Sequence, residues 1–316
     1  MPHIELLLTN PLPASEHSRD LEGFVVHKLW EAADPDALLA EVGARIRGVI
    51  ANGPTRMDEA LLSQLPELEI VANFGVGYDR IDVPAATRHG VVVTNTPSVL
   101  DDEVADLTLG LLLATVRKIP QADRYVRDGR WLQSAFPLST SLRGRKVGIL
   151  GLGNIGLAIA RRLAGFEVEI AYHSRRRREG VAYEYCDSPS ALAQAVDVLI
   201  VIVPATPETH HIVDADLLEK LGPNGILINV ARGSVVDEAA LIAALENGTI
   251  LAAGLDVFEH EPVVPAALIA AENTVLLPHI GSASTHTRSA MSDLVIANIC
   301  GWFRDGHAVT PVNEIA

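Results

Sequence analysis

Lys146-Val-Gly-Ile-Leu-Gly-Leu-Gly-Asn-Ile-Gly-Leu-Ala-Ile-Ala-Arg-Arg-Leu163 decides the reading of this chain. Its apolar run over 147–150 predicts a strand buried on both faces. The run enters Gly151-x-Gly153-x-x-Gly156 and then a helical pattern with Ile155, Ile159 and Leu163 on one side. A strand, a glycine loop and a helix in that order predict a dinucleotide site. Gly151 makes the tight turn, Gly153 lets the backbone approach a pyrophosphate, and Gly156 lets helix and strand pack closely. Asn154 and Ile155 open the helix, whose free N–H groups and dipole favour an anion.

Downstream, a second strand is expected over 167–173. In folds of this kind an acidic side chain at its end binds the adenosine ribose hydroxyls. Here the strand ends His173-Ser174-Arg175-Arg176-Arg177-Arg178, with no carboxylate and four arginines. A carboxylate would repel a 2′-phosphate, whereas guanidinium forks bind one, so NADP is favoured over NAD. A solvated basic loop is the bland alternative. Further strands are expected over 198–203, ending at Pro204, and over 225–230, ending at Val230-Ala231-Arg232. A helix is expected over 238–246, then strands over 251–257 and 275–277.

Ligands of open α/β sheets bind beyond the carboxyl ends of the strands. Arg232, Asp256, Glu261 and His279 all fall at such ends. Reduction of a 2-keto acid needs a cation on the carboxylate and carbonyl, which the fork of Arg232 suits. It needs a proton donor at the carbonyl oxygen, a role that suits His279 because histidine is the side chain whose ordinary pKa lies nearest neutrality. A carboxylate such as Glu261 would orient that imidazole and favour its charged form. Singly, each residue has another reading: Arg232 paired with Asp237 or Glu238, Glu261 a turn residue before Pro262, His279 a satisfied core histidine. Their convergence beside a cofactor loop favours chemistry.

Upstream, strands are expected over 4–9, 24–29, 47–51, 68–74 and 91–95, with helices over 36–42, 57–64 and 83–89. That alternation predicts a second parallel sheet. In Asn73-Phe-Gly-Val-Gly-Tyr-Asp79 the backbone N–H groups of Val76 and Gly77 face either an anion or an ordinary turn. A long helix over 101–118 has an acidic first turn and a basic end, and its apolar residues cover nearly its whole circumference, as in a helix buried between layers or domains. Residues 121–145 read as a polar, broken connection with Trp131 as a packing or interface residue. Residues 285–304 read as one amphipathic helix with Leu294, Ile296, Ile299 and Phe303 on its apolar side.

The bulk properties narrow the function classes. Length 316 suits two domains, and mean hydropathy of +0.24 suits a well-cored protein. A formal charge of −15 argues against a nucleic-acid partner, which wants a basic face. Cys186 and Cys300 have no metal-ligand spacing, so no metal is expected and both thiols are read as free in a reducing compartment. The N-terminus lacks the basic and apolar regions of a signal peptide. The most apolar stretch, 107–116, is too short to span a bilayer. A cytoplasmic location with no membrane partner is expected.

Asn73–Asp82, Asp101–Leu113, the glycine loop, Asn229-Val-Ala-Arg-Gly-Ser-Val-Val-Asp-Glu238, Gly254-Leu-Asp-Val-Phe-Glu-His-Glu-Pro262 and Leu277-Pro-His-Ile-Gly-Ser282 together make the chain resemble the D-isomer-specific 2-hydroxyacid dehydrogenases over essentially its whole length. The resemblance implies Arg232, Glu261 and His279 as the catalytic set. It implies that Val76 and Gly77 hold the substrate carboxylate and that Ser282 touches the substrate. Asp256 is expected near the nicotinamide carboxamide. Thr108, Pro204, Thr209, Val230, Ala231 and Gly281 would line the cofactor with the glycine loop and the residues from His173 to Arg176.

The same resemblance implies two Rossmann-like, doubly wound parallel-sheet domains with a cleft between them. The substrate domain would be 1–98 and 286–316, and the dinucleotide domain 99–285. Members are typically homodimers, and Trp131 sits where a partner subunit's aromatic approaches the pocket in glyoxylate and hydroxypyruvate reductases. Within the family the basic run resembles the NADP-dependent glyoxylate/hydroxypyruvate and 2-ketogluconate reductases, with NAD less favoured. The expected activity is reduction of hydroxypyruvate or glyoxylate. Alternatives are a 2-ketogluconate or aryl-pyruvate reductase and, in a different class, a cofactor-sensing corepressor-like protein.

Overall fold

The computed structural model describes residues 4–315; Met1, Pro2, His3 and Ala316, and with them the signal-peptide reading of the first residues, lie outside the described residues. The chain forms two compact units, one built from the chain up to Leu100 and from Ala283 onward, the other from Asp101–Ser282. Each is a parallel sheet flanked by helices.

The first unit begins β1 (Glu5–Leu8), β2 (Val25–Lys28), α1 (Pro35–Val42), β3 (Ile46–Ala51), α2 (Glu59–Leu62), β4 (Ile70–Asn73), α3 (Val83–Arg88) and β5 (Val92–Thr94). Its strands lie in the order β2-β1-β3-β4-β5, all parallel. Alternation decides the faces. Leu7, Val49, Val71 and Val93 form one core with Leu39 and Val42 of α1, Leu61 and Leu62 of α2, and Ala85 and Ala86 of α3. Asp34, Asp58 and Asp82 start those three helices by accepting backbone N–H groups.

The second unit contains α4 (Asp101–Arg117), α5 (Ile119–Arg127), β6 (Lys146–Leu150), α6 (Asn154–Leu163), β7 (Glu169–His173), β8 (Glu184–Tyr185), α7 (Pro189–Ala195), β9 (Val198–Val201), α8 (Ala215–Leu221), β10 (Ile226–Asn229), α9 (Glu238–Glu246), β11 (Ala252–Leu255), α10 (Ala266–Ala270) and β12 (Thr274–Leu276). Its order, β12-β11-β10-β9-β6-β7-β8, reverses between β6 and β9. That reversal is the switch point where doubly wound sheets bind ligands, and the glycine loop leaves β6 there.

Buried strands with period-two alternation give this sheet a core on each side. Val198, Ile200, Ile226 and Ile228 face Leu111 and Leu112 of α4 and Ile159 of α6. Leu199, Val201 and Leu227 face Leu217 and Leu218 of α8 and Leu241 of α9. The apolar circumference of α4 is explained by its packing on β10, β11, β12 and α6.

After Ser282 the chain returns to the first unit as α11 (Thr285–Asp305), started by Ser284 on Thr287 N–H and stopped by Gly306 at φ +71°. Ile299 and Phe303 of α11 lie against Gly48 and Leu6, covering the sheet face opposite the first core. No helix among the described residues is long and apolar enough to cross a membrane.

One segment departs from its expected form. Residues 121–145 are not wholly irregular, because α5 occupies Ile119–Arg127 with Pro120 in its first turn. Lys118, left-handed at φ 54°, separates it from α4. Tyr125 is buried edge-on to Phe136, with the Arg130 guanidinium over its ring.

Candidate active site

The glycine loop has the steric signature expected of it. Gly151 sits at φ +105°, and a Cβ there would lie 2.5 Å from the Ile202 carbonyl oxygen. A Cβ on Gly156 would lie 2.2 Å from the Gly151 carbonyl oxygen, so only glycine lets α6 approach the loop this closely. Gly153 is exposed, with nothing within 4 Å of its missing Cβ. It begins α6 with no side-chain cap, leaving the first N–H groups at Asn154 and Ile155 open to an anion. This open, donor-lined turn fits a pyrophosphate.

The basic loop beside it is built by β7 and β8. His173 donates from Nδ1 to the Cys186 carbonyl at 2.8 Å and stacks on Tyr185, which holds the Ser174 carbonyl. Ser174 Oγ bonds the Arg176 carbonyl at 2.7 Å. Arg175, Arg176 and Arg177 are exposed, whereas Arg178 folds back to the Leu152 carbonyl at 2.9 Å and braces the glycine loop. The run of arginines therefore divides into a brace and a set of available cations, a division invisible in the sequence.

Further cofactor candidates shape the surrounding loops. Thr209 Oγ1 binds the Pro204 carbonyl at 2.7 Å and receives Thr206 N–H, closing the turn after β9. Thr108 has no exposed surface, and its hydroxyl bonds the Val104 carbonyl within α4. Val230 and Ala231 are buried at the end of β10.

Beyond the ends of β10, β11 and β12 the second unit brings three chemical groups together. The Asn229 side chain binds Ala231 N–H and the Arg232 carbonyl, shaping the turn that presents Arg232. A Cβ on the next residue, Gly233, would lie 1.8 Å from the Phe258 backbone, so this turn packs directly on the segment leading to Glu261. Asp237 caps α9 by accepting Ala240 N–H, and Glu238 accepts the Glu259 N–H.

Glu261 uses both oxygens: one accepts Phe258 N–H at 3.1 Å, the other meets His279 Nδ1 at 2.8 Å. Burial pushes its carboxyl up, but the His279 bond and charge, the Phe258 N–H and the Arg232 charge outweigh it and hold the carboxyl below its ordinary value. An ionised Glu261 accepts a hydrogen bond from Nδ1–H and leaves Nε2 as the working nitrogen of the ring. His279 is no satisfied core histidine, since its side chain is 43% exposed. Its backbone is left-handed at φ 54°, an unfavourable conformation for a non-glycine residue.

Asp256 holds that conformation in place. Its carbonyl accepts His279 N–H at 2.8 Å, and its carboxylate oxygens accept Ile280 and Gly281 N–H at 2.7 and 2.8 Å. Burial pushes the Asp256 carboxyl up, against the downward pull of those two N–H groups and the His279 charge. Asp256 is only 2% exposed, so its visible role is to position 279–281. Ser282 follows at intermediate exposure.

The first unit carries a separate, tightly held turn at 73–77. Asn73 Nδ2 donates to the Gly75 and Gly77 carbonyls at 2.9 and 3.0 Å, and Asn95 Nδ2 to the Val76 carbonyl at 2.9 Å. With three successive carbonyls engaged, the N–H groups of Val76 and Gly77 have no hydrogen-bond partner among the described residues. Beside them the Arg288 guanidinium lies 5.4 Å from the ring centre of Phe74. Burial lowers the Arg288 pKa, but a guanidinium remains charged at neutral pH. The asparagines and Arg288 were not assigned roles from the sequence because their partners are set by tertiary structure.

A family model described as D-isomer specific 2-hydroxyacid dehydrogenase, NAD binding domain, matches residues 109–281. Glyoxylate/hydroxypyruvate reductase A of Arabidopsis thaliana is 44% identical over 312 residues, 99% of this chain and 100% of the relative. Hydroxyphenylpyruvate reductase of Plectranthus scutellarioides is 45% identical over 289 residues, 92% of each chain. The crystal structure of an NADPH-dependent glyoxylate/hydroxypyruvate reductase from Sinorhizobium meliloti, in complex with NADP and malonate, is similar with TM-score 0.93 and 52% identity, covering 98% of this chain and 97% of that one.

Proposed function

The chain belongs to the D-isomer-specific 2-hydroxyacid dehydrogenases, and on that premise we propose that it reduces hydroxypyruvate or glyoxylate to the D-2-hydroxy acid with NADPH. The observation that carries the reading is the Glu261–His279 pair, 2.8 Å apart, beside the Arg232 turn. NADPH, when bound, supplies the hydride that arrives at the keto carbon. His279 gives its Nε2 proton to the carbonyl oxygen, and Glu261 steadies the imidazole through Nδ1. Arg232 polarises the carbonyl. The amides of Val76 and Gly77 take the substrate carboxylate, and Arg288 adds positive charge beside them. Ser282 contacts the substrate. In reverse, neutral His279 takes the hydroxyl proton.

The cofactor is assigned to the glycine loop, to the exposed face of 173–176, and to the loops at Pro204–Thr209, Val230–Arg232 and Asp256–Gly281. On this reading Asp101–Ser282 is the dinucleotide unit and the remainder the substrate unit. The Sinorhizobium relative holds NADP and malonate, a small carboxylic acid, which agrees with both assignments. The name of the Plectranthus relative supports an aryl-pyruvate reductase as the second reading.

NADPH oxidation by the purified protein, measured with hydroxypyruvate, glyoxylate, 2-ketogluconate and hydroxyphenylpyruvate, tests the proposal. One of the first two should exceed the others in kcat/KM by at least about tenfold, a typical pocket discrimination. Preference for hydroxyphenylpyruvate would select the second reading. NADPH binding without turnover on any acid would select a sensor.

The apolar side chains exposed along 119–138, with Leu132 at 93% and Leu138 at 99%, support a homodimer through this segment, with Trp131 in the same stretch. Wild type should sediment as a dimer and Leu138→Glu should shift it towards monomer. A wild-type mass of one chain, 33.8 kDa, would refute the dimer. Two free thiols agree with a cytoplasmic location, which cell fractionation checks.

A further inference from the structure

His210 and His211, on the loop after β9, converge with Glu259 on the segment that leads to Glu261. His211 Nε2 lies 2.9 Å from a Glu259 carboxylate oxygen, and the two imidazoles lie tilted by 30° with centroids 4.0 Å apart. One donor atom from each residue lies within 4.8 Å of the others. An ordinary histidine–carboxylate pair needs one imidazole. Here the second, His210, has no side-chain hydrogen bond among the described residues and is exposed.

The main chain of these three residues is held in place by bonds that do not use their own side chains. His210 N–H donates to Thr206 and His211 N–H to Ser234, while Glu259 N–H is held by Glu238. His211 is left-handed at φ 50°, a conformation sustained by its surroundings. The 204–211 loop and the Phe258–Glu261 segment therefore present ligands from two directions.

We propose that His210, His211 and Glu259 bind one divalent transition-metal ion of the zinc class. Two imidazole nitrogens and a carboxylate suit a borderline ion, and a water completes a tetrahedron. Metal–ligand distances of about 2.0–2.2 Å place tetrahedral donor atoms roughly 3.4 Å apart. The observed spread brackets that value, so small side-chain rotations close the site. Binding replaces the His211–Glu259 hydrogen bond and releases its proton. The ion clamps the loop after β9 to the segment that carries Glu261. This inference does not depend on the substrate assignment.

The test uses untagged, full-length protein freed of metal by chelation and then titrated with Co2+ and Zn2+. One Co2+ per chain should bind with a visible absorption band, and Zn2+ should displace it. His210→Ala should weaken Co2+ binding at least about tenfold, the scale of a lost coordination contact, and His211→Ala should abolish the band. At equal concentration Zn2+ should raise the melting temperature of wild type more than that of His210→Ala. Exposed His210 tolerates truncation, and circular dichroism of each variant confirms folding. Absence of Co2+ binding by wild type, or binding unchanged in both variants, would overturn the site. The latter result would place the ion on other histidines among the eleven in the chain.

Discussion

His279→Ala is expected to lower kcat for keto-acid reduction by about 10³-fold while changing NADPH affinity less than about threefold. The loss should be large because the arrangement offers one prepared proton donor. Glu261 occupies Nδ1, leaving Nε2 to serve the carbonyl oxygen. Cofactor affinity should survive because the glycine loop and basic loop are held by bonds that do not include His279. Stopped-flow reduction and equilibrium NADPH binding separate the two effects. Equal loss in both would mean that residue 279 holds the site together without transferring a proton.

Glu261→Gln tests the same pair through its charge. The native carboxyl titrates below its ordinary value, so its ionised form stabilises the fold above the unfolded pKa of about 4.3. That contribution disappears as pH falls through the lower folded value. The stability gap between wild type and Glu261→Gln should therefore narrow in acid. The variant should also lose about 10–100-fold in kcat, because glutamine can orient the ring but cannot offset its charge. Denaturant unfolding across pH checks the first statement; an unchanging gap down to the most acidic measurable point would count against this coupling.

The glycine loop was legible because its message is local. Each glycine answers a constraint within a few residues or from the neighbouring strand, as the Gly156 contact with Gly151 shows. Buried parallel strands were legible for a similar reason, since a run such as Val198–Val201 has few polar alternatives. The helix α5 was hidden behind left-handed Lys118, whose conformation nothing in its side chain announces. Residues whose meaning comes from distant partners were harder still. Asn95 becomes part of the 73–77 turn only because it reaches the Val76 carbonyl, 19 positions away. His211 and Glu259 meet across 48 positions, a spacing with no short metal motif. The sheet topology, through strand order and crossover, creates those meetings.

Replacing both Arg175 and Arg176 by alanine is expected to raise the KM for NADPH by about 10–100-fold and the KM for NADH by less than about threefold. Each charged hydrogen bond to a phosphate is worth roughly 1.5–3 kcal/mol, and exposure in this loop argues for the lower end. The loop is suited to the task because the main chain carries its shape: Tyr185 holds the Ser174 carbonyl, and Ser174 holds that of Arg176. Removing the two exposed guanidinium groups should therefore leave the turn standing, and Arg178 should still brace Leu152. Glu208 supplies a nearby negative charge, since the Arg175 guanidinium helps hold its carboxyl low after the larger effects of Thr206 and the local backbone. Without Arg175 that carboxylate would repel a 2′-phosphate, adding to the loss for NADPH alone. The wild-type preference should also weaken as salt rises, because the contact lies in solvent and is screened over about 8–10 Å at moderate ionic strength. A double variant with the wild-type NADPH/NADH ratio of kcat/KM would remove the phosphate role from this loop while leaving the dinucleotide assignment of the glycine turn intact.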